Sequence, residues 1–325
     1  MNEPLFMILL ALAWFGVVDL ALSTFAAAIG SLLERGVLRL RPSRAPAVLL
    51  TSKLAPGVIA LFFTFVVFLP AQWRFEPAGA DESAGYTLIG LGLLGALTLA
   101  LTARRAARDW RVTRSLERHW MTRAGGSLAP APGNLPIYCL PDDRPIVSMT
   151  GLRRPRIFVS RSVRAMLTDD ELDASLAHER AHHQTRDNLK RLLVACSPDL
   201  LGIWPGGRAL ERQWREAVEF AADARAVSGS ERRGVLLASA LLKVARMTPA
   251  TGVPAAGIGF YNGAPISERI NRLLAPRIEE DPAPSLGRAW SVSLWGMTLL
   301  VAIASAEGAW FGVHLATEGL VRLLP

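Results

Sequence analysis

The stretch LAHERAHHQTRDNL, residues 176–189, sets His178 and His182 four positions apart, with Glu179 directly after the first of them. On an α-helix residues at that spacing project from one face, so both imidazoles can reach a single ion. A glutamate beside the first histidine stands next to the metal's water rather than on the metal, where a general base belongs. The pattern His-Glu-x-x-His therefore predicts a zinc peptidase helix, in which Glu179 takes a proton from the attacking water and passes it to the leaving amine. Two histidines leave a catalytic zinc one protein ligand short. Glu219, in REAVEFAADARAV (215–227), is the chosen third ligand, and Asp187 and Asp223 are rival donors. Asp223 lies one turn beyond Glu219 on the same face, where it can instead accept the remaining N–H of a liganding histidine. His183 points about 100° away from His182 and is expected at the surface or in a cleft wall. The alternative is a metal-free helix face whose acids pair with Arg180, Arg186 and Arg215.

The elements that must position these residues are legible around them. LTDDELDASLAHERAHH (167–183) announces a helix: Thr168 and Glu171 have capping-box spacing, and Asp169 and Asp170 suit the positive helix N-terminus. Glu219 and Asp223 fall on a second amphipathic helix, about 208–227. Upstream, IYCL (137–140), IVSMT (146–150) and RIFVS (156–160) read as strands, the last two joined by the turn GLRRP. A small antiparallel sheet is the simplest arrangement, and its edge could hold a substrate in extended form. Residues 124–136, rich in Gly and Pro, read as a linker, and 247–265 as a long loop of small residues suited to a cleft wall or lid. The apolar run 192–207 is broken by Pro198 and too short to span a bilayer, so it is buried or rests on the membrane surface.

With 51% hydrophobic residues and a mean hydropathy of +0.28 over 325 residues, the chain is too apolar for an ordinary soluble globule. Four stretches, about 5–33, 48–69, 86–103 and 289–315, approach the ~20 residues that cross ~30 Å of hydrocarbon. Residues 1–103 are thus expected to form three transmembrane helices, 104–288 an extramembrane domain with its core at 137–275, and 289–325 a fourth transmembrane helix and short tail. Asp19 lies inside the first span, where an ionisable group either serves function or pairs within the bundle. No basic residue precedes the first apolar run, which is too long for a cleavable signal and should stay attached.

Arg35, Arg39, Arg41 and Arg44 follow the first span, and Arg104, Arg105, Arg108, Arg111 and Arg114 follow the third. Short arginine-rich segments stay on the cytoplasmic side, which makes this a multi-pass protein of the cell inner (plasma) membrane with a cytoplasmic catalytic domain. Basic flanks of membrane spans also account for the net charge of +8, so the lipid bilayer and not nucleic acid is the expected partner. Cys139 and Cys196 form no CxxC pair and are expected to be free thiols.

Taken in order, GLRRPRIFVS, LTDDELDASLAHERAHHQTRDNL, EAVEFAADARAV and ISERINRLL resemble the core segments of the BlaR/MecR-type membrane metallopeptidases, gluzincins related in their catalytic core to HtpX-type proteases. The resemblance covers about residues 145–274. It implies His178, His182 and Glu219 as ligands of one zinc ion, Glu179 as general base and Asp223 as support. The implied fold is an α-helical integral membrane protein with an α+β zincin-like metallopeptidase domain. Three spans before the catalytic domain resemble the BlaR/MecR arrangement more than the HtpX-type one, which places two before and two after. The antibiotic sensors of that group carry an extracellular penicillin-binding domain after the last span; this chain stops at Pro325, so direct β-lactam sensing by it is not expected. The expected function is membrane-embedded zinc endopeptidase, cleaving a protein or peptide at the cytoplasmic membrane face in signalling such as repressor cleavage. The alternatives are HtpX-like quality control and a non-enzymatic membrane signalling or adaptor protein with a structural zinc site.

Overall fold

A computed structural model describes residues 3–37, 44–75, 85–125, 127–128, 135–198, 205–247, 265–275 and 307–323. Three helical rods in the N-terminal part are long and apolar enough to cross a membrane: Pro4–Ala28, Ala45–Phe75 and Tyr86–Arg123. The first lies within α1 (Glu3–Val37). The second comprises α2 (Ala45–Phe62), a π-helical segment (Phe63–Phe68) and α3 (Leu69–Phe75). The third is α4 (Tyr86–Arg123), which runs unbroken from its apolar half into the arginine-rich half.

α1 and α4 approach closely because small residues meet at their crossing. A Cβ built on Gly95 would lie 2.0 Å from the Leu12 carbonyl oxygen, and one on Gly16 3.0 Å from Gly95 Cα. Without a hydrophobic effect between lipid-facing helices, such backbone proximity supplies the packing. Asp19 is buried inside the bundle.

The sheet corrects the antiparallel expectation. Its strands are β1 (Ser127–Leu128), β2 (Ile137–Leu140), β3 (Val147–Thr150) and β4 (Arg156–Ser160), in the order β1-β2-β4-β3. β3 and β4 form the expected antiparallel hairpin, but β2 pairs with β4 in parallel, Ile137 opposite Ile157 and Leu140 opposite Ser160. Hydrophobic demand explains the insertion of β4 between the other two. Its Ile157, Phe158 and Val159 are all buried, so this strand needs cover on both faces and partners on both edges. Ile157 and Val159 enter the main core with Val147, Met149, Leu176, Leu237 and Leu241. Phe158 faces the other way, onto Trp120 of α4, with ring centroids 5.3 Å apart. The stretch read as a linker contributes β1, which pairs with β2.

Behind the sheet come α5 (Arg161–Met166), α6 (Asp169–Gln184), α7 (Asp187–Cys196), α8 (Pro205–Val227), α9 (Glu231–Met247) and α10 (Ile266–Leu274). α6 has the anticipated capping box, with both reciprocal bonds made. Glu171 also accepts from Ser239 and Lys243 of α9, tying the start of α6 to that helix. α8 buries Leu210, Trp214, Ala217 and Val218 against Ala45 and Leu49 of α2, so the helix carrying Glu219 rests directly on the second rod. α7 ends against α4, where Arg105 donates to the carbonyls of Val194, Ala195 and Ser197. Cationic donors there satisfy carbonyls that a helix end leaves open.

Most of the expected fourth span, residues 289–306, and the loop 248–264 lie outside the described residues. A last helix, α11 (Glu307–Leu323), packs on α3, with Phe311 against Phe75 and His314 Nδ1 3.3 Å from Gln72 Oε1. Cys139 and Cys196 are free thiols.

Candidate metal centre

Three buried donors converge where α6 faces α8. One ligand atom from each of His178, His182 and Glu219 can be chosen so that all lie within 4.8 Å of one another. Nε2 of His178 is 3.1 Å from Nε2 of His182. Glu219 sets its Oε2 3.5 Å from the first of these nitrogens and its Oε1 3.7 Å from the second. The four-residue helical spacing brings the imidazoles together; the crossing of α8 brings the carboxylate.

Each imidazole is fixed from behind by its own acid. Asp223 Oδ1 lies 2.9 Å from His178 Nδ1, and Asp187 Oδ2 lies 2.9 Å from His182 Nδ1. Binding at Nδ1 aims Nε2 at the shared space. Asp187 reaches that position through a tight turn in which Arg186 adopts a left-handed φ of 54°, and it is further held by Thr185 Oγ1 at 2.6 Å and Lys190 Nζ at 2.9 Å. The two rival donors thus occupy equivalent places behind the two histidines, while Glu219 faces both Nε2 atoms.

Glu179 is buried beside the donors. Its Oε2 accepts the Met149 backbone N–H of β3 at 2.7 Å. The Met149 and Gly151 carbonyls accept from Asn188 Nδ2 at 3.5 and 3.3 Å, which ties the end of β3 to α7. Burial pushes the Glu179 carboxyl above its ordinary range, the direction that suits a group taking and returning a proton. Burial would raise Glu219 too, but His182, His178 and Arg269 around it hold its carboxyl well below the usual carboxylate range.

Arg269 of α10, itself 1% exposed, completes the cluster. It donates through Nε to Asp223 Oδ2 at 2.8 Å and through Nη2 to Asp223 Oδ1 at 2.6 Å, with Nη1 3.2 Å from Glu219 Oε2. Sequence reasoning missed this residue and the partnership of Asp187 with His182. The signal for Arg269 was present: Ile266, Ile270 and Leu273 repeat at helical spacing, and an arginine three positions after the first falls on the same apolar face. For Asp187 the sequence carried none, since a sharp turn rather than a helical period returns it to His182.

The residues fit a divalent cation. Both Glu219 oxygens and Glu179 Oε1 are buried without a hydrogen bond; Arg269 at 3.2 Å and Arg191 at 3.6 Å balance the charge of Glu219 but leave acceptor capacity that a cation beside the two Nε2 atoms can use. Two imidazole nitrogens and one carboxylate are also the donors of a three-ligand catalytic site. Of the arginines weighed for surface pairing, Arg180 lies against Asp173 and Arg215 against Glu211, while Glu219, 1% exposed, has Arg191 at 3.6 Å. His183 is exposed.

The family model described as BlaR1 peptidase M56 matches residues 94–273, more than half of the chain. No curated protein matches it. The matched segment starts in α4 and runs through α10, so it takes in the sheet, the His178–His182–Glu219 cluster and the arginine behind it. With that span covered, the chain belongs to the BlaR1 peptidase M56 family of metallopeptidases.

Proposed function

We propose that this protein is a zinc-dependent endopeptidase of the cytoplasmic membrane, with a zincin-like catalytic domain that cleaves a protein substrate close to the lipid surface. The observation that carries the reading is the buried convergence of His178, His182 and Glu219 beside the buried carboxyl of Glu179. His178, His182 and Glu219 would hold the zinc, which supplies Lewis acidity toward the scissile carbonyl and toward water. Asp223 and Asp187 keep the two imidazoles in the tautomer that presents Nε2. Glu179 accepts the proton of the attacking water at its carboxylate and returns it to the departing amine nitrogen. Met149 N–H, bonded to the same carboxylate, fixes its direction. A substrate strand laid along β3 would pair beside that contact, within reach of Glu179.

The arginines at and beyond the end of α1 and in the second half of α4 support a cytoplasmic placing of residues 104–288, and a fourth membrane span at 289–315 would return the chain to the outer face. Three apolar rods ahead of the domain support regulated cleavage in the BlaR/MecR manner, such as repressor cleavage, over HtpX-like quality control. An adaptor with a structural metal has no use for a buried glutamate beside the donors.

The test is Glu179→Gln in the full-length chain. It should retain one zinc per chain by elemental analysis while proteolysis falls by about 10²–10⁴-fold, the range of general acid–base catalysis. A chelator should abolish wild-type cleavage and added zinc restore it. Undiminished cleavage by the variant rules out the assigned base, and absence of bound metal in the wild type rules out the centre.

A further inference from the structure

Ile266, Ile270 and Leu273 place the inner face of α10 against the main core, and Arg269 occupies that same face. Burying a guanidinium there is costly unless its nitrogens find acceptors and its charge finds an opposite one. Among the described residues both conditions are met at the metal centre: the two oxygens of Asp223 take Nε and Nη2, and Nη1 lies against Glu219. One planar group thereby reaches two donors of the cluster: Glu219 directly, and His178 both through Asp223 and across 3.5 Å from Nη2 to its ring nitrogens. His182 is supported differently. Its acid, Asp187, is balanced by Lys190, a partly exposed ammonium 2.9 Å away.

We propose that Arg269 is the positioning residue of the metal centre, its rigid fork setting Glu219 against His178 so that the cation site exists before the ion arrives. The proposal rests on the metallopeptidase reading above. It requires the fork and not only the positive charge, because an ammonium is a point donor that cannot grip both Asp223 oxygens and still reach Glu219. Arg269 contacts no reacting atom, so its effect passes through the geometry of Glu219 and His178.

The test uses the full-length chain in detergent with Co²⁺ as a spectroscopic probe and Zn²⁺ competition against a chromophoric chelator. Arg269→Lys should keep its helical circular dichroism, lose about ten- to a hundredfold in Zn²⁺ affinity, the usual consequence of losing support behind a ligand, and show a shifted, weakened cobalt visible band. Unchanged affinity and an unchanged cobalt band in Arg269→Lys overturn the proposal while leaving the metallopeptidase reading intact. A wild type that binds neither ion overturns both. Should Arg269→Lys fail to fold, Asp223→Asn with Arg269→Gln keeps a neutral hydrogen-bonded pair in place of the ionic one. That double variant should bind Zn²⁺ more weakly than Asp223→Asn alone, because Glu219 has lost the fork that sets it against His178 and keeps only the more distant Arg191; equal affinity overturns the proposal.

Discussion

His178 carries the most constrained side chain of the cluster, with no exposed surface and an acid near each ring nitrogen. Burial alone would push its imidazole down, but the carboxylates of Asp223 and Glu219 beside its two nitrogens outweigh that and raise it to about 9. A cation at Nε2 must displace the proton held there. Below that value each pH unit should therefore lower apparent Zn²⁺ affinity about tenfold, and above it the dependence should flatten. Calorimetric titration in buffers of different protonation enthalpy would count about one proton released per ion at neutral pH. An affinity that does not move across neutral pH contradicts this account of His178. For Glu179 burial acts the other way than it does for the imidazole, pushing the carboxyl up, which makes its carboxylate a better proton acceptor than an exposed one.

α6 owes its position to its first turn. Thr168 Oγ1 accepts from the Glu171 backbone N–H, and the Glu171 carboxylate accepts from the Thr168 N–H at 2.8 Å, closing the capping box. Thr168→Ala should cost about 1 kcal/mol, as the loss of an N-cap does. Glu171→Ala should cost more, about 1–3 kcal/mol, because the same carboxylate also binds Ser239 and Lys243 of α9. Denaturant titrations of the two variants in detergent should show that order; the reverse would mean that the link to α9 contributes nothing. At the other end of the site, β3 is an edge strand. The Met149 N–H ties this edge to Glu179 of α6.

For the molecule as a whole, the decisive feature is that the helix bearing Glu219 and the apolar rods share a core. Trp214, Ala217 and Val218 of α8 pack on α2, and a Cβ at Gly57 of α2 would lie 2.6 Å from the Pro198 ring just beyond α7. The helix presenting Glu219 is thus seated on a candidate membrane span. The proposed topology makes a direct prediction. In a Cys139→Ser background on intact cells, a membrane-impermeant maleimide should leave the exposed Cys196 unlabelled and should label a cysteine introduced by Gly85→Cys. Labelling of Cys196 in intact cells would place the domain on the outer face.

The chemistry was legible in sequence wherever it depends on spacing within one helix. His178 and His182 share a face because they are four apart, Asp223 stands one turn from Glu219, and the capping box and apolar runs are equally local. Contacts between elements were not legible in that way. Only the crossing of α6 and α8 brings Glu219 to both imidazoles, only the turn at Arg186 returns Asp187 to His182, and only the docking of α10 delivers Arg269. The parallel pairing of β2 with β4 belongs with these, since an apolar run marks a strand but not its neighbour. Periodicity states which face of an element is buried; what that face meets depends on the packing of the whole chain, where burial and charge matching are satisfied together.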